Sequence, residues 1–245
     1  MRNFLITITF DGSSFHGWQI QNNAITVQEV FQSALIKIIG EQPDIKACSR
    51  TDSGVHANMF CISMQTEHKI PAERLKGALN RFLPLTVAVL DCIEVPLSFH
   101  ARYSCKGKKY VYKIWNSPVR NPFLEKYALH YRWKIDEQVL NKAAQDFVGR
   151  HDFTSFCTND GRKMDNMERT VKSFFVERKG DMVLMSVEAD GFLYNMVRIM
   201  VGTLLKIQQG KIPSDGIPAI FALKNRNHQG ITAPAQGLYL DKVYY

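Results

Sequence analysis

The sequence predicts an α+β fold with two similar halves, each an antiparallel sheet with helices on one face. Three observations support this prediction. Several short segments are rich in β-branched residues and alternate polar with apolar side chains, as strands do. Other segments repeat apolar residues at helical spacing. The order of these segments recurs loosely in the second half, although no sequence repeat is clear.

The first half contains strands and two helices. The segment "FLITITFD" alternates as a strand, and "TVQEVFQSALIKIIG" has the apolar spacing of a helix. Thr26 and Glu29 form a possible capping box at the start of this helix, and Gly40 ends it. Pro71 opens a short second helix in "PAERLKGALNRFLP". The segments "TVAVLDCIEV" and "KKYVYKIWN" are predicted strands.

The second half has a similar order. A helix is predicted from Asp136 to Gly149, and a hairpin turns at Lys179–Gly180–Asp181. The segment "YNMVRIMVGTLLKIQQG" predicts a long, mostly buried helix, and "GLYLDKVYY" a closing strand. Two prolines interrupt the periodic segments in "NSPVRNPFLE". We therefore predict one α+β half over residues 1–115 and a second over residues 116–245.

Composition favours a polyanionic partner. The chain of 245 residues is 45% hydrophobic, which suffices for a core in one large domain or two fused halves. It has 31 basic and 23 acidic residues and a net charge of +8. A basic surface attracts nucleic acid or an anionic membrane, although the signal is weak by itself.

Several classes of chemistry lack their sequence signals. The five cysteines are odd in number and none has C-x-x-C spacing, which argues against a disulfide framework or a zinc site and favours the cytoplasm. The N-terminus lacks the apolar region of a signal peptide, and no apolar run is long enough to span a bilayer. P-loop, dinucleotide-binding and nucleophile-elbow motifs are missing. We expect no metal, no cofactor and no membrane partner.

The stretch "CSRTDSGVHA" contains one carboxylate, Asp52, among turn-forming residues. Gly54 permits a tight turn, so Asp52 could simply cap the backbone. Asp52 could instead act as a nucleophile or general base, with Arg50 nearby to keep the carboxylate ionised. The local spacing leaves both interpretations open.

Aromatic and basic residues mix in "FHARYSCKGKKYVYKIWN". On a strand, Tyr110 and Tyr112 share one face. The segment is either a half-buried strand with a solvated lysine rim or a platform for a stacked base, with Lys108 and Lys109 reaching phosphates.

Arg198 lies inside the apolar run "DGFLYNMVRIMVGTLL". An unpaired buried guanidinium is costly, so Arg198 is expected to have an acidic partner. That partner is either a local carboxylate or Asp52, brought close by the fold.

The sequence resembles the TruA family of tRNA pseudouridine synthases. "RTDSGVHA" is similar to the catalytic motif of that family. Further similar segments occur in the order of the family and cover nearly the whole chain: "FDGSSFHGWQIQ", "TVQEVFQSAL", "LNRFLP", "FHARYSCKGKKYVYKI", "GRHDFTSF", "GFLYNMVRIMVGTLL" and "TAPAQGLYLDKVYY". Together these segments are far more specific than any one of them.

The resemblance implies a role for each matched residue. Asp52 matches the essential catalytic aspartate, and Arg50 the neighbouring arginine that helps to expose or stabilise the flipped nucleotide. Tyr110 matches the tyrosine that stacks on the target uracil. Arg198 matches the basic residue paired with the aspartate, and Leu238 an apolar residue near the base.

The resemblance also implies a catalytic cleft between the two halves, with dimer-forming elements in the second half. It implies a homodimer, a tRNA anticodon arm as substrate, and no metal or cofactor. His56, like Arg50, could contact the RNA and offset the cost of flipping the nucleotide. The implied reaction isomerises uridine to pseudouridine. Asp52 could attack C1′ of the ribose, attack C6 of the uracil, or promote elimination at the 2′ position, and the sequence leaves these routes open.

Two alternatives to this function remain. The chain could be a paralogue acting on ribosomal RNA or a non-catalytic RNA-binding protein; the missing acidic cluster argues against a metal-dependent nuclease.

The motif departs from the family in two places. The family usually has glycine where this chain has Ser49, after Cys48. The motif is followed by "ANMFCISM", where the family tends to a glutamine-valine pair. Both departures concern the backbone shape and RNA contacts of the loop.

Overall fold

The computed structural model describes residues 1–158, 166–225 and 231–245. In these ranges there are ten strands: β1 Arg2–Phe10, β2 Ile45–Ala47, β3 His56–Thr66, β4 Val87–Val95, β5 Gly107–Trp115, β6 Leu129–His130, β7 Gly149–Asp152, β8 Glu168–Lys179, β9 Met182–Ala189 and β10 Leu238–Tyr244. The same ranges contain five α-helices: α1 Val27–Ile39, α2 Ala72–Phe82, α3 Glu137–Ala144, α4 Met196–Gln208 and α5 Ile217–Leu223. Most strand pairs are antiparallel, which confirms the predicted α+β class.

The chain forms two compact units. The first comprises Met1–Lys106 together with Tyr239–Tyr245, and the second comprises Gly107–Leu238. This division does not coincide with the boundary predicted between residues 115 and 116. The reason is that β5, which precedes the two prolines, pairs along its length with β9 of the second unit. The similarity of the two halves and the cleft between them stay predictions.

In the first unit the strands follow the order β4-β1-β3-β10, with β2 on β3. β10 runs parallel to β3, with Tyr239 opposite His56. The alternation of β1 buries one face completely, since Phe4, Ile6 and Ile8 are inaccessible to solvent. The predicted alternation of this strand is therefore confirmed.

The predicted ends of α1 are confirmed. The Thr26 hydroxyl accepts a hydrogen bond from the Glu29 amide at 3.3 Å, as an N-cap does. Gly40 ends the helix in the left-handed conformation at φ +78°. Apolar residues at helical spacing, among them Phe31 and Leu35, are completely buried.

In the second unit the strands follow the order β5-β9-β8-β7, with β6 parallel to β5. The turn predicted at Lys179–Gly180–Asp181 joins β8 to β9, and Gly180 has φ +60°. α3 is shorter than predicted: it ends at Ala144, and a 3-10 turn, Gln145–Phe147, follows. The predicted start is confirmed, because the Asp136 carboxylate caps the first turn.

α4 is buried along most of its length, as predicted. Asn195 precedes it with φ +59°, a left-handed conformation that asparagine tolerates better than most residues. None of the helices in the described ranges is long and apolar enough to cross a membrane.

Gly202 of α4 allows the backbone of Ile231 to approach the helix closely. A Cβ atom on Gly202 would lie 1.7 Å from the Ile231 carbonyl oxygen, so Gly202→Ala forces the backbone apart. We expect overpacking of this kind to lower the free energy of unfolding by about 1–3 kcal/mol. Gly77→Ala on the exposed side of α2 is the control, because a Cβ there meets nothing within 4 Å.

In the control, the higher helix propensity of alanine is expected to raise stability by up to about 1 kcal/mol. Thermal melting of both variants measures the difference. Equal melting temperatures would contradict the close approach at Gly202.

Candidate active site

Asp52 lies in an irregular segment between β2 and β3, at the start of a tight turn. Ser53 and Gly54 form the turn, and Gly54 has φ +77°. The Val55 amide donates to the Asp52 carbonyl at 3.2 Å and closes the turn. Asp52 itself is half-buried.

The segment Asp11–Trp18, which follows β1, holds this turn from both ends. We call it the frame segment. The Phe15 carbonyl accepts hydrogen bonds from the Gly54 amide at 3.2 Å and from the Ser53 hydroxyl at 3.4 Å. The Trp18 amide donates to the Thr51 carbonyl at 3.1 Å. The backbone on both sides of Asp52 is therefore bonded to one other segment.

Two glycines permit this close approach. A Cβ atom on Gly12 would lie 2.0 Å from the Val55 carbonyl oxygen, and one on Gly17 would lie 2.5 Å from that of Thr51. Gly17 also has φ +86°. Residues with side chains cannot occupy either place without displacing the turn. The sequence stretch "FDGSSFHGW" contained this signal, but neither glycine was predicted to contact the turn.

The fold accommodates Ser49, which stands where the family usually has glycine. The Cys48 amide donates to the Cys61 carbonyl at 2.8 Å, which extends the pairing of β2 with β3. Among the described residues, the non-glycine residues with positive φ are Asn195 and Lys224. Ser49 therefore adopts a conformation open to any residue, and its place does not require glycine.

Arg50 is exposed and forms no ion pair with another described residue. Its expected role as a positive charge near Asp52 stays a prediction.

His56 was expected to contact RNA, but the structure contradicts this expectation. The residue is only 1% exposed, and its ring stacks on Tyr239 with 4.6 Å between ring centroids. Its Nδ1 atom accepts a hydrogen bond from the Gly12 amide at 3.0 Å. The imidazole is therefore occupied by contacts inside the protein. The sequence does not show that this histidine is buried.

In the second unit, Tyr110 and Tyr112 share one face of β5, as predicted. Tyr110 is 7% exposed and meets the ring of Phe192 edge-on, with 5.0 Å between centroids. By the same alternation Lys108 lies on the face of the tyrosines and Lys109 on the opposite face. The two lysines therefore do not flank Tyr110 together.

Arg198 lies in the first turn of α4 and is half-buried. Its Nε donates to the Ala233 carbonyl at 2.7 Å, and its Nη1 to the Asn195 side-chain oxygen at 2.8 Å. These neutral oxygens were not foreseen. The predicted pairing with Asp52 stays a prediction.

The segment that leads into β10 lies close to Tyr112. The Tyr112 hydroxyl donates to the Pro234 carbonyl at 2.8 Å, and a Cβ on Gly237 would lie 2.6 Å from the Tyr112 ring. Burial raises the pKa of the Tyr112 hydroxyl, and the charge of Arg198 partly offsets that rise. Leu238 follows this segment and is 6% exposed. The second unit thus brings Tyr112 close to Arg198 and to residues 234–237.

Other catalytic groups fit less well. Burial raises the pKa of the Cys61 thiol to about 11, so this sulfur is protonated and weakly nucleophilic at neutral pH. In the ranges 1–158, 166–225 and 231–245, no three histidine, cysteine or acidic side chains are grouped as metal ligands. Asp52 stays the predicted catalytic group.

Comparisons with known proteins agree with the resemblance seen in the sequence. The profile of a family described as "tRNA pseudouridine synthase" matches residues 6–104 and 143–245. The chain is 44% identical to "tRNA pseudouridine synthase A" of Thermoanaerobacter sp. (strain X514) and 43% identical to the protein of that name from Ruminiclostridium cellulolyticum. It is 39% identical to "tRNA pseudouridine synthase A 2" of Bacillus anthracis. Each of these matches covers 100% of both chains.

The class defined by these matches is that of isomerases acting on RNA. The chain belongs to the TruA family of tRNA pseudouridine synthases.

Gly17→Ala tests whether the frame segment sets the position of Asp52. We expect the added methyl group to push against Thr51 and to lower turnover, by about a hundredfold for a shift near 1 Å. Gly40→Ala is a matched control, because it also places alanine at positive φ but its Cβ meets nothing within 4 Å.

The control is expected to lose about 1 kcal/mol of stability and to keep its activity. Steady-state pseudouridine formation and thermal melting separate the two effects. Equal activity losses in both variants would rule out a specific role for the frame segment.

Proposed function

We propose that this protein converts uridine to pseudouridine in the anticodon stem-loop of tRNA, without a cofactor, using Asp52 as the catalytic carboxylate. Relatives that are 39% to 44% identical to this chain over their full length are named tRNA pseudouridine synthases. The observation that carries the proposal is the hydrogen-bonded frame around the Asp52 turn. A carboxylate that only capped a turn would not require a second backbone segment on both of its sides.

The proposed reaction is an isomerisation, so its atoms balance without an added reagent. The bond between ribose C1′ and uracil N1 breaks, the uracil rotates, and C5 bonds to C1′. C5 loses its hydrogen to solvent as a proton, and N1 gains a proton. No electrons are transferred to or from another molecule, which is why the reaction needs neither a redox cofactor nor a group donor.

Asp52 acts in its ionised form in each of the three routes. It attacks C1′ as in a retaining glycosidase, attacks C6 of the ring, or removes a proton at the 2′ position. Asp52 is half-buried rather than buried, which limits the cost of desolvating the charged form. We propose that Arg198 pairs with this charge.

The target nucleotide has to leave its stack before the carboxylate reaches the sugar, at a cost of roughly a few kcal/mol. We propose that Arg50, which is exposed two residues before Asp52, contacts the RNA backbone near the flipped nucleotide. We propose further that the Tyr110 ring stacks on the uracil and that Leu238 packs near the base. Stacking on the face of an aromatic ring tolerates any base, because every base has a π-face.

We also propose that the protein acts in the cytoplasm as a homodimer, as the resemblance to the family implies. The five cysteines lie in the described ranges and form no disulfide there, which suits a reducing compartment. Light scattering after size-exclusion chromatography measures the mass in solution and tests the dimer directly.

Asp52→Asn tests the catalytic assignment. The substitution keeps the size of the side chain and removes its charge, so turnover is expected to vanish while RNA binding remains. A tRNA transcript tritiated at uridine C5 reports the reaction, because tritium leaves only when C5 bonds to C1′. Asp44→Asn, which removes an exposed carboxylate just before β2, is the control and should stay fully active.

The outcomes separate the remaining alternatives. Tritium release by Asp52→Asn at the wild-type rate would exclude Asp52 as the catalytic group. Release from ribosomal RNA but not from tRNA would favour a paralogue with another substrate. Tight binding without release from any RNA would favour a non-catalytic RNA-binding protein. Adding a chelator should leave the rate unchanged.

Lys108→Ala tests phosphate binding on the face of Tyr110. Each phosphate contact contributes about 0.7–0.9 to the slope of log affinity against log salt. We expect Lys108→Ala to reduce that slope by this amount for tRNA. Lys109→Ala is the matched control, since Lys109 lies on the opposite face of β5, across from Glu188. Identical slopes for both variants would contradict a directed contact from Lys108.

A further inference from the structure

We propose that His56 is a positioning residue, which holds the frame segment and thereby the Asp52 turn through the Gly12 amide. The proposal rests on the proposed function, because it gives Asp52 the catalytic role. His56 is the first residue of β3 and is almost completely buried, so it cannot act on the substrate directly. Its proposed role is to hold the Gly12 amide through its imidazole ring.

The contact fixes the role of Nδ1. The Gly12 amide lies 3.0 Å from Nδ1, and a backbone N–H can only donate, so Nδ1 is the acceptor in this contact. An Asp11 carboxylate oxygen lies 3.2 Å from the same atom and accepts from the Ser13 amide at 2.9 Å. Of these two neighbours only the Gly12 amide carries a hydrogen that Nδ1 can accept, so we assign Nδ1 to Gly12.

The Gly12 amide has little alternative to His56. Gly12 is buried, and its α-carbon lies so close to Val55 that even a methyl group would meet the carbonyl at 2.0 Å. Without the imidazole, the amide would lose its acceptor in a place with no room beside it. Buried donors without an acceptor are avoided in folded proteins, so the segment would shift to satisfy this one.

Hydrogen bonds and the backbone between them form a closed loop that transmits such a shift to Asp52. The Phe15 amide donates to the Gly12 carbonyl at 3.0 Å, and the Phe15 carbonyl accepts from the Gly54 amide at 3.2 Å. The Val55 amide donates to the Asp52 carbonyl at 3.2 Å, and His56 follows Val55 in the chain. This loop of contacts begins and ends at His56, and the Asp52 turn is part of it.

The orientation of the imidazole is itself fixed. Its ring stacks on the Tyr239 ring at an interplanar angle of 18°, and the two residues face each other in the parallel pairing of β3 with β10. Stacking of this kind restricts rotation of the ring about its side-chain bond. The acceptor therefore points to Gly12 rather than sampling several directions.

Two substitutions separate the acceptor from the ring. His56→Phe keeps an aromatic ring against Tyr239 but has no acceptor for the Gly12 amide. His56→Asn loses the ring but places an oxygen near the position of Nδ1. We expect His56→Phe to lower kcat by about a hundredfold, as for a displaced catalytic group, with KM for tRNA within about twofold. His56→Asn should recover most of the lost kcat.

His100 provides matched controls in the same unit. Its Nδ1 also accepts a backbone hydrogen bond, from Arg102 at 3.1 Å, and its ring lies 4.3 Å from that of Tyr103. It lies outside the frame segment and the Asp52 turn. His100→Phe and His100→Asn should therefore leave kcat unchanged.

Hydrogen–deuterium exchange of the frame segment supplies a readout that does not depend on activity. Exchange in residues 11–18 should accelerate in His56→Phe and stay near the wild-type rate in His56→Asn. If folded His56→Phe keeps the wild-type kcat and exchange, or if His56→Asn is as impaired as His56→Phe, the positioning role is wrong. If the wild-type protein forms no pseudouridine in tRNA, the proposed function fails, while the exchange rates still decide whether His56 holds the segment.

Discussion

The close approach of two backbone segments, with two glycines at the contact, is the constraint on which the candidate site depends. The frame segment supplies a carbonyl and an amide to the two sides of the Asp52 turn. Neither bond would form if Gly12 or Gly17 carried a side chain, because a Cβ would overlap a backbone oxygen. Backbone groups have few soft degrees of freedom, so a turn held through them moves less than one held by long side chains. Such preorganisation suits the catalytic role proposed for Asp52.

The sequence predicted the elements of this site better than their contacts. Periodicity located β1, α1 and α4, because each buries one stripe or nearly all of its surface. The turn at Asp52 followed from Gly54 and its small neighbours. The bonds between this turn and Phe15 were not predictable, since a backbone bond between distant segments leaves no mark in the side chains except the glycines that permit it.

Residue type alone misled at His56. A histidine beside the Asp52 turn suggested an RNA contact, yet His56 is buried and stacks on Tyr239 of β10, from the far end of the sequence. Lys108 and Lys109 lie on opposite faces of β5, and their expected contacts with phosphates stay predictions. Arg198 was correctly singled out as unusual in an apolar helix, while its bonds to Ala233 and Asn195 required the three-dimensional fold.

The pairing of β10 with β3 has a consequence for the order in which the protein matures. Residues 239–245 belong to the compact unit formed by residues 1–106, although they leave the ribosome after everything between. Until they are synthesised, His56 and Ala57 at the start of β3 lack their parallel partner strand, and His56 lacks the tyrosine on which it stacks. Domains usually fold as their sequence emerges, whereas this unit waits for a contact of very long sequence separation. Translation must therefore pass through the whole second unit before the strand beside the Asp52 turn gains its last neighbour.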